Sequence, residues 1–210
     1  MSNAALSLTH TLREAARHGE RAVLLCSFQK EESVLLDELL RLDQGTGEAV
    51  RIVTIDTGVL FAETLQTWRA FEERFGVNIE VYDASSPDRP WSGPEHCCSD
   101  AKVAALEAAL SGAEGWITGI RREQGPTRAD TELIERDQRR GLWKYNPLAE
   151  WSEKDLWRRI NERDLPYNPL HDRGYASIGC ATCTQPGSGR EGRWAGTEKT
   201  ECGLHVEPIG

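Results

Sequence analysis

The stretch RAVLLCSFQKEESVLLDELLRL, residues 21–42, decides the fold. Residues 21–26 are an apolar run of strand length, suited to burial on both faces of a sheet. Residues 27–32 (SFQKEE) are polar and read as a loop. Residues 33–42 then place apolar side chains at Val34, Leu35, Leu39, Leu40 and Leu42, close to helical spacing. Strand, loop and helix follow in that order, and the chain on both sides continues the alternation.

Upstream, residues 5–18 (ALSLTHTLREAARH) predict a helix. Downstream, strands are expected at 50–55 (VRIVTI), 77–81 and 116–120, and helices at 60–75, 100–110 and 152–162. The helix at 60–75 carries Leu65, Trp68, Phe71 and Phe75, a stripe for core packing. Ser152 is its later counterpart's N-cap, with Asp155 three residues on. The expected architecture is α/β: a mostly parallel twisted sheet with helices on both faces. In such sheets ligands bind beyond the carboxyl ends of the strands. The loops to inspect are therefore 27–32, 56–58 and 121–128. From residue 172 the chain is rich in Gly, Cys, Arg and Pro, too polar to bury much. The division expected is an α/β domain over 1–187 and a mobile C-terminal tail over 188–210.

The 210 residues carry a formal charge of -9, from 25 basic and 34 acidic side chains. That balance disfavours nucleic acid and anionic membranes as partners. No apolar run reaches the roughly 18 residues of a membrane span. The N-terminus lacks a basic and then apolar leader and reads as a helix. Without a secretion signal, six cysteines point to a reducing, cytoplasmic setting, where they serve as metal ligands or redox groups more often than as disulfides.

Cys26 ends an apolar strand and reads as core. Cys97-Cys98 and Cys180-x-x-Cys183 invite four-thiolate metal binding. Adjacent cysteines chelate one small tetrahedral ion poorly, whereas a [4Fe–4S] cube presents separate iron corners. Spacing favours a cluster and leaves zinc or a redox disulfide as alternatives. Lys102 lies one helical turn after Cys98, where its charge offsets that of a thiolate cluster. Cys202 stands apart in the polar segment Glu201-Cys-Gly-Leu-His205. There it suits a nucleophile that meets first a substrate and then a protein reductant, or is a stray exposed thiol. Lys199 or His205 would favour its thiolate. Arg128, in a block of six arginines over 121–140, and Arg190 and Arg193, in Ser188-Gly-Arg-Glu-Gly-Arg-Trp194, are candidate anion ligands. The 27–33 loop opens a helix in the manner that cradles phosphates, but it lacks Walker A glycines.

These blocks, with Ile55-Asp-Thr-Gly58, Thr118-Gly-Ile-Arg-Arg-Glu-Gln124 and the CC and CxxC pairs, resemble the phosphoadenylyl/adenylyl-sulfate reductase family over residues 27–205. The Lys199-to-His205 block is the most specific. The resemblance implies a PP-loop-like fold and one [4Fe–4S] cluster on Cys97, Cys98, Cys180 and Cys183. It also implies adenosine 5'-phosphosulfate as main substrate, since members with both cysteine pairs use it and those without use the 3'-phosphorylated form. Ser27 and Ile55, Asp56, Thr57 and Gly58 would dock adenosine. Arg128, Arg190 and Arg193, with Lys102, would hold the phosphosulfate. Cys202 would attack sulfur, and a thioredoxin-like dithiol would release sulfite. Two departures stand out: Ala101 replaces the Arg common in relatives, and Gly125-Pro-Thr-Arg128 replaces SxTR. A 3'-phosphorylated or dual substrate is the alternative. A tRNA-thiolating enzyme would need an SGGxDS-like loop, and a zinc module would be colourless.

Overall fold

A computed structural model describes residues 3–43, 49–85, 100–198 and 201 of the chain. Cys97, Cys98, Lys199, Cys202 and His205 lie outside the described residues. The elements run α1 (Asn3–Ala16), β1 (Ala22–Leu25), α2 (Lys30–Asp43), β2 (Arg51–Asp56), α3 (Ala62–Phe75), β3 (Glu80–Asp83), α4 (Asp100–Ala109), β4 (Gly115–Ile117), β5 (Ile134–Asp137), β6 (Leu142–Tyr145) and α5 (Glu153–Arg163). One sheet orders the strands β3-β2-β1-β4-β6-β5. All pairs are parallel except β5 with β6.

β1 sits at the centre. Val23 pairs with Arg51 on one side and Trp116 on the other. Successive strand side chains point to opposite faces. Leu24 joins Leu8, Leu12, Leu35, Phe71, Leu156 and Ile160 on the face that α1, α2, α3 and α5 cover. Val23 joins Val53, Trp116 and Leu106 on the face that α4 covers. Each fully buried side chain of this size stabilises the fold by roughly 1.5–3 kcal/mol, so both faces hold the sheet together. Ser152 caps α5 as expected, accepting the Asp155 N–H at 3.1 Å while Asp155 accepts the Ser152 N–H at 3.2 Å.

Four details differ from expectation. α2 starts at Lys30 and not Ser33, because the Glu32 carboxylate accepts the Gln29 N–H at 2.9 Å and the Ser27 hydroxyl at 3.0 Å, satisfying the helix start from within. β3 lies at Glu80–Asp83, its backbone paired to β2 from Val53↔Glu80 onward. β4 ends at Ile117, which leaves 118–120 to enter the loop. The hairpin of β5 and β6 had no apolar alternation to announce it. Instead, Arg136 stacks on Trp143 at 5.1 Å and Lys144 pairs with Glu135 at 2.8 Å.

The segment after residue 172 was expected to bury little. In fact Ile178, Cys180, Cys183 and Trp194 are all buried. Their backbone closes on itself: Gln185 donates to the Gly192 carbonyl at 2.9 Å and Trp194 to the Cys183 carbonyl at 2.9 Å. Only glycine fits at 192, since a Cβ there would overlap the Gln185 carbonyl. Among the described residues, no helix is long and apolar enough to cross a membrane.

Candidate active site

After β1 the chain fills one side of the sheet with β2 and β3, then crosses to place β4 on the other side. The β1–β4 boundary is thus the switch point where a crevice opens beyond the strand ends. A cleft of about 990 Å³, including its open mouth, lies there. That is the size of a small-molecule site. Ser27, Ile55, Lys102, Arg128, Arg190 and Arg193 all line it, together with Cys180, Thr118, Gly119 and Gln124. Six residues singled out in the sequence are therefore brought together from five separate segments.

The 27–33 loop does something other than cradle a phosphate. Its Gln29 N–H and Ser27 hydroxyl are spent on Glu32. Burial and the neighbouring Glu31 charge push the Glu32 carboxyl up to about 8, against the opposing pull of those two donors. Burial also raises the Glu31 carboxyl, but the charges of Lys30 and Arg121 outweigh it and hold Glu31 below its ordinary range. The Arg121–Glu31 pair is buried, at 3.0 Å. The loop's donors are thus turned inward onto Glu32 and are not presented to the cleft. The rim still offers Ser27, which is exposed.

The 56–58 turn is set by Asp56, whose carboxylate accepts the Gly58 N–H at 2.8 Å. Asp56 and Gly58 thus shape the turn, and only Ile55 of this group lines the cleft. Thr57 is buried, with its hydroxyl 3.2 Å from the Cys180 sulfur. Leu60 forms a bridge with Cys180, and Ala181 donates to the Val59 carbonyl at 2.9 Å. The CxxC turn is thereby anchored to the β2–α3 connection. Within it, the Cys183 N–H meets the Cys180 carbonyl at 3.2 Å. Both thiols are buried, and no disulfide joins them among the described residues. Among the described residues no cluster of three or more His, Cys, Asp or Glu is placed to hold a metal. Two buried thiols on one turn are nonetheless the right donor chemistry for half of a thiolate-bound iron–sulfur group. α4 begins at Asp100, two residues past Cys98, and its Val103 packs on the cluster that holds Cys180 and Cys183. Cys26 is 2% exposed at the wall of the cleft, and burial together with the Glu32 charge raises its thiol well above the ordinary range.

The six arginines of 121–140 divide. Arg121 is committed to Glu31, and Arg122 pairs with Glu150 at 3.6 Å. Arg140 joins Asp137 at 2.8 Å and Glu107 at 3.0 Å, and Arg139 reaches Glu107 at 3.6 Å. Arg136 covers Trp143. Of these six, only Arg128 reaches the cleft, where Gln124 steadies it through its side-chain oxygen. Arg193 lies over the Trp194 ring at 4.5 Å, donates to the Ile178 carbonyl at 3.2 Å, and has an Nε with no partner among the described residues. Arg190 and Arg128 converge on Glu201, which sequence reading passed over as a mere neighbour of Cys202. Burial pushes the Glu201 carboxyl up, but Arg128, Arg190 and Thr127 bring it down to about 2.

A doubly wound sheet with an arginine-walled cleft at its switch point defines an α/β protein built to take an anionic small molecule. The phosphoadenosine phosphosulfate reductase domain family matches residues 21–186, and the chain belongs to that family. It is 42% identical over 203 residues to an adenosine 5'-phosphosulfate reductase of Bacillus pumilus (strain SAFR-032), covering 90% of this chain and 85% of the relative. It is 41% identical over 216 residues to a phosphoadenosine 5'-phosphosulfate reductase of Gloeobacter violaceus (strain ATCC 29082 / PCC 7421), covering 93% and 87%. In fold it is similar to the phosphoadenylyl-sulfate reductase of Candida auris in a phosphate complex, with a TM-score of 0.71 at 24% identity, over 85% of this chain and 90% of that one.

Proposed function

We propose that the protein reduces adenosine 5'-phosphosulfate to sulfite and AMP in a reducing cytoplasm. The observation that carries this is the convergence of Cys180 with Arg128, Arg190, Arg193 and Lys102 on one cleft at the switch point. The adenosine sits by Ser27 and Ile55, with Thr57 of the turn behind it holding the Cys180 loop. The arginines and Lys102 take the phosphosulfate oxygens as charge-assisted hydrogen bonds. The Cys202 thiolate attacks the substrate sulfur, and the sulfur–oxygen bond to AMP breaks. His205 and Lys199 favour the thiolate. A cysteine S-sulfonate results. A thioredoxin-like dithiol then attacks the Cys202 sulfur, and sulfite leaves as that S–S bond breaks. The second thiol of the dithiol releases Cys202, so the dithiol ends as a disulfide and supplies both electrons.

Cys97, Cys98, Cys180 and Cys183 would hold one [4Fe–4S] cluster. When bound, it supplies a fixed anchor and a local field for the site, with no electron path needed. The division into a domain over 1–187 and a catalytic tail over 188–210 belongs to the same reading, although Arg190 and Arg193 are already docked on the cleft. The second reading is 3'-phosphoadenosine 5'-phosphosulfate as substrate, favoured by a 41% identical relative of that name. Sulfite release by anaerobically purified protein with thioredoxin separates the two. A kcat/KM higher for the nucleotide without the 3'-phosphate is expected, and the reverse preference overturns the assignment.

A further inference from the structure

The arginine seat is filled by the chain itself. Glu201 takes both fork donors of Arg128, Nε at 2.8 Å on Oε1 and Nη2 at 2.9 Å on Oε2. Nη2 of Arg190 adds a third bond at 3.0 Å, and the Thr127 hydroxyl a fourth at 2.9 Å. The donors come from two distant loops, and the Glu201 side chain is only 12% exposed. Three of the four are guanidinium N–H groups in the geometry that binds the edge of a phosphate or sulfate as readily as a carboxylate. The same two arginines line the cleft assigned above to the substrate's anionic end.

We propose that Glu201 is a placeholder: its carboxylate occupies the seat of a substrate oxyanion on Arg128 and Arg190, and nucleotide binding displaces it. Glu201 then acts on the substrate only through Arg128 and Arg190, and is a positioning residue, not a catalytic one. This rests on the function proposed above. The arginines keep the carboxyl ionised far below neutral pH, so it leaves by exchange for another anion and not by protonation. A tethered carboxylate competes at an effective concentration that no free anion in the cell need match. The seat is thereby kept closed to stray phosphate while remaining open to a ligand that also has an adenosine to bind.

The test is calorimetric titration of the cluster-loaded protein with AMP, adenosine 5'-phosphosulfate and inorganic sulfate, in a Cys202→Ser background to prevent turnover. Glu201→Gln keeps the shape and removes the competing charge. It should bind both nucleotides on the order of tenfold more tightly, and sulfate measurably more tightly as well. Glu201→Ala should show the same gain, which guards against a folding artefact in either variant. Glu198→Gln removes an equal charge from the same segment without touching the arginines, and should change nothing. In an Arg128→Ala background Glu201→Gln should bring no gain. Unchanged or weaker nucleotide binding by Glu201→Gln, or an equal gain from Glu198→Gln, overturns the inference. If the parent with Cys202 intact still makes sulfite in that case, the proposed function survives. A parent that neither binds nucleotide nor makes sulfite takes both down.

Discussion

Arg190 and Arg193 belong to one short motif, yet their surroundings assign them different tasks. Arg190 reaches out to Glu201 and the cleft, at 14% side-chain exposure. Arg193 is 8% exposed and holds the Ile178 carbonyl beside the CxxC turn, with Trp194 beneath it. Each removal of a charge-assisted contact costs about 1.5–3 kcal/mol. Arg190→Ala should therefore raise KM roughly ten- to hundredfold while leaving the melting temperature close to that of the parent. Arg193→Ala should raise KM and also lower the melting temperature, because an internal carbonyl loses its donor. Steady-state kinetics beside thermal melts check the split. Wild-type kinetics in both variants would make the motif a plain surface turn. The sequence announced these arginines through glycines flanking them. It did not announce Glu201, whose importance comes only from meeting Arg128 across 73 positions.

The start of α2 shows what an element adds to its residues. Lys30, Glu31, Glu32 and Ser33 are all buried there. Lys30 donates to the Ala176 carbonyl at 2.8 Å and pairs with Glu153 at 3.1 Å. Glu32 caps the helix while burial and Glu31 lift its carboxyl to about 8. A carboxyl with a raised folded-state pKa keeps a proton that the unfolded chain has lost. Its contribution to stability is full below the unfolded value, near 4.5, and is lost as pH rises through about 8. Glu32→Gln keeps an acceptor for Gln29 and Ser27 and removes that loss. Denaturation at pH 6 and pH 9 should show the variant gaining on the parent at the higher pH. A constant difference would place the Glu32 proton elsewhere. Polar residues in a helix's first turn normally face water, so the sequence placed 27–32 in a loop and the helix start three residues late. β1 was legible as an apolar run of strand length, α3 through its apolar stripe and α4 through its Ala- and Leu-rich composition. The hairpin of β5 and β6 was not, because cation–π and ion pairs hold it where alternating apolar residues would be expected.

Across the whole molecule, a chain of net charge -9 gathers three arginines and a lysine on one cleft. Net charge of that sign disfavours anionic polymers as partners, while the cleft's cations suit a small anion. The sequence made this contrast visible, together with the order of strands and helices outside the β5–β6 hairpin, and it singled out Arg128, Arg190, Arg193 and Lys102; it did not show Glu201 seated between Arg128 and Arg190. The cysteines extend across the same scale, since Cys180 and Cys183 sit on the face that α4 covers. Anaerobically purified protein should be brown and carry about four irons per chain. Serine at Cys97, Cys98, Cys180 or Cys183 should bleach it, and serine at Cys202 should not. Stoichiometric zinc in a colourless, active protein would contradict the cluster. The central claim, that Cys202 alone takes the sulfonate, has one direct measurement. The protein is incubated with adenosine 5'-phosphosulfate and no thiol, and intact mass and a peptide map are recorded. The account predicts a single SO3 adduct on the peptide that contains Glu201-Cys202-Gly203, and sulfite only after thioredoxin is added. An adduct on Cys26 or Cys183, or sulfite turnover by Cys202→Ser, would contradict it.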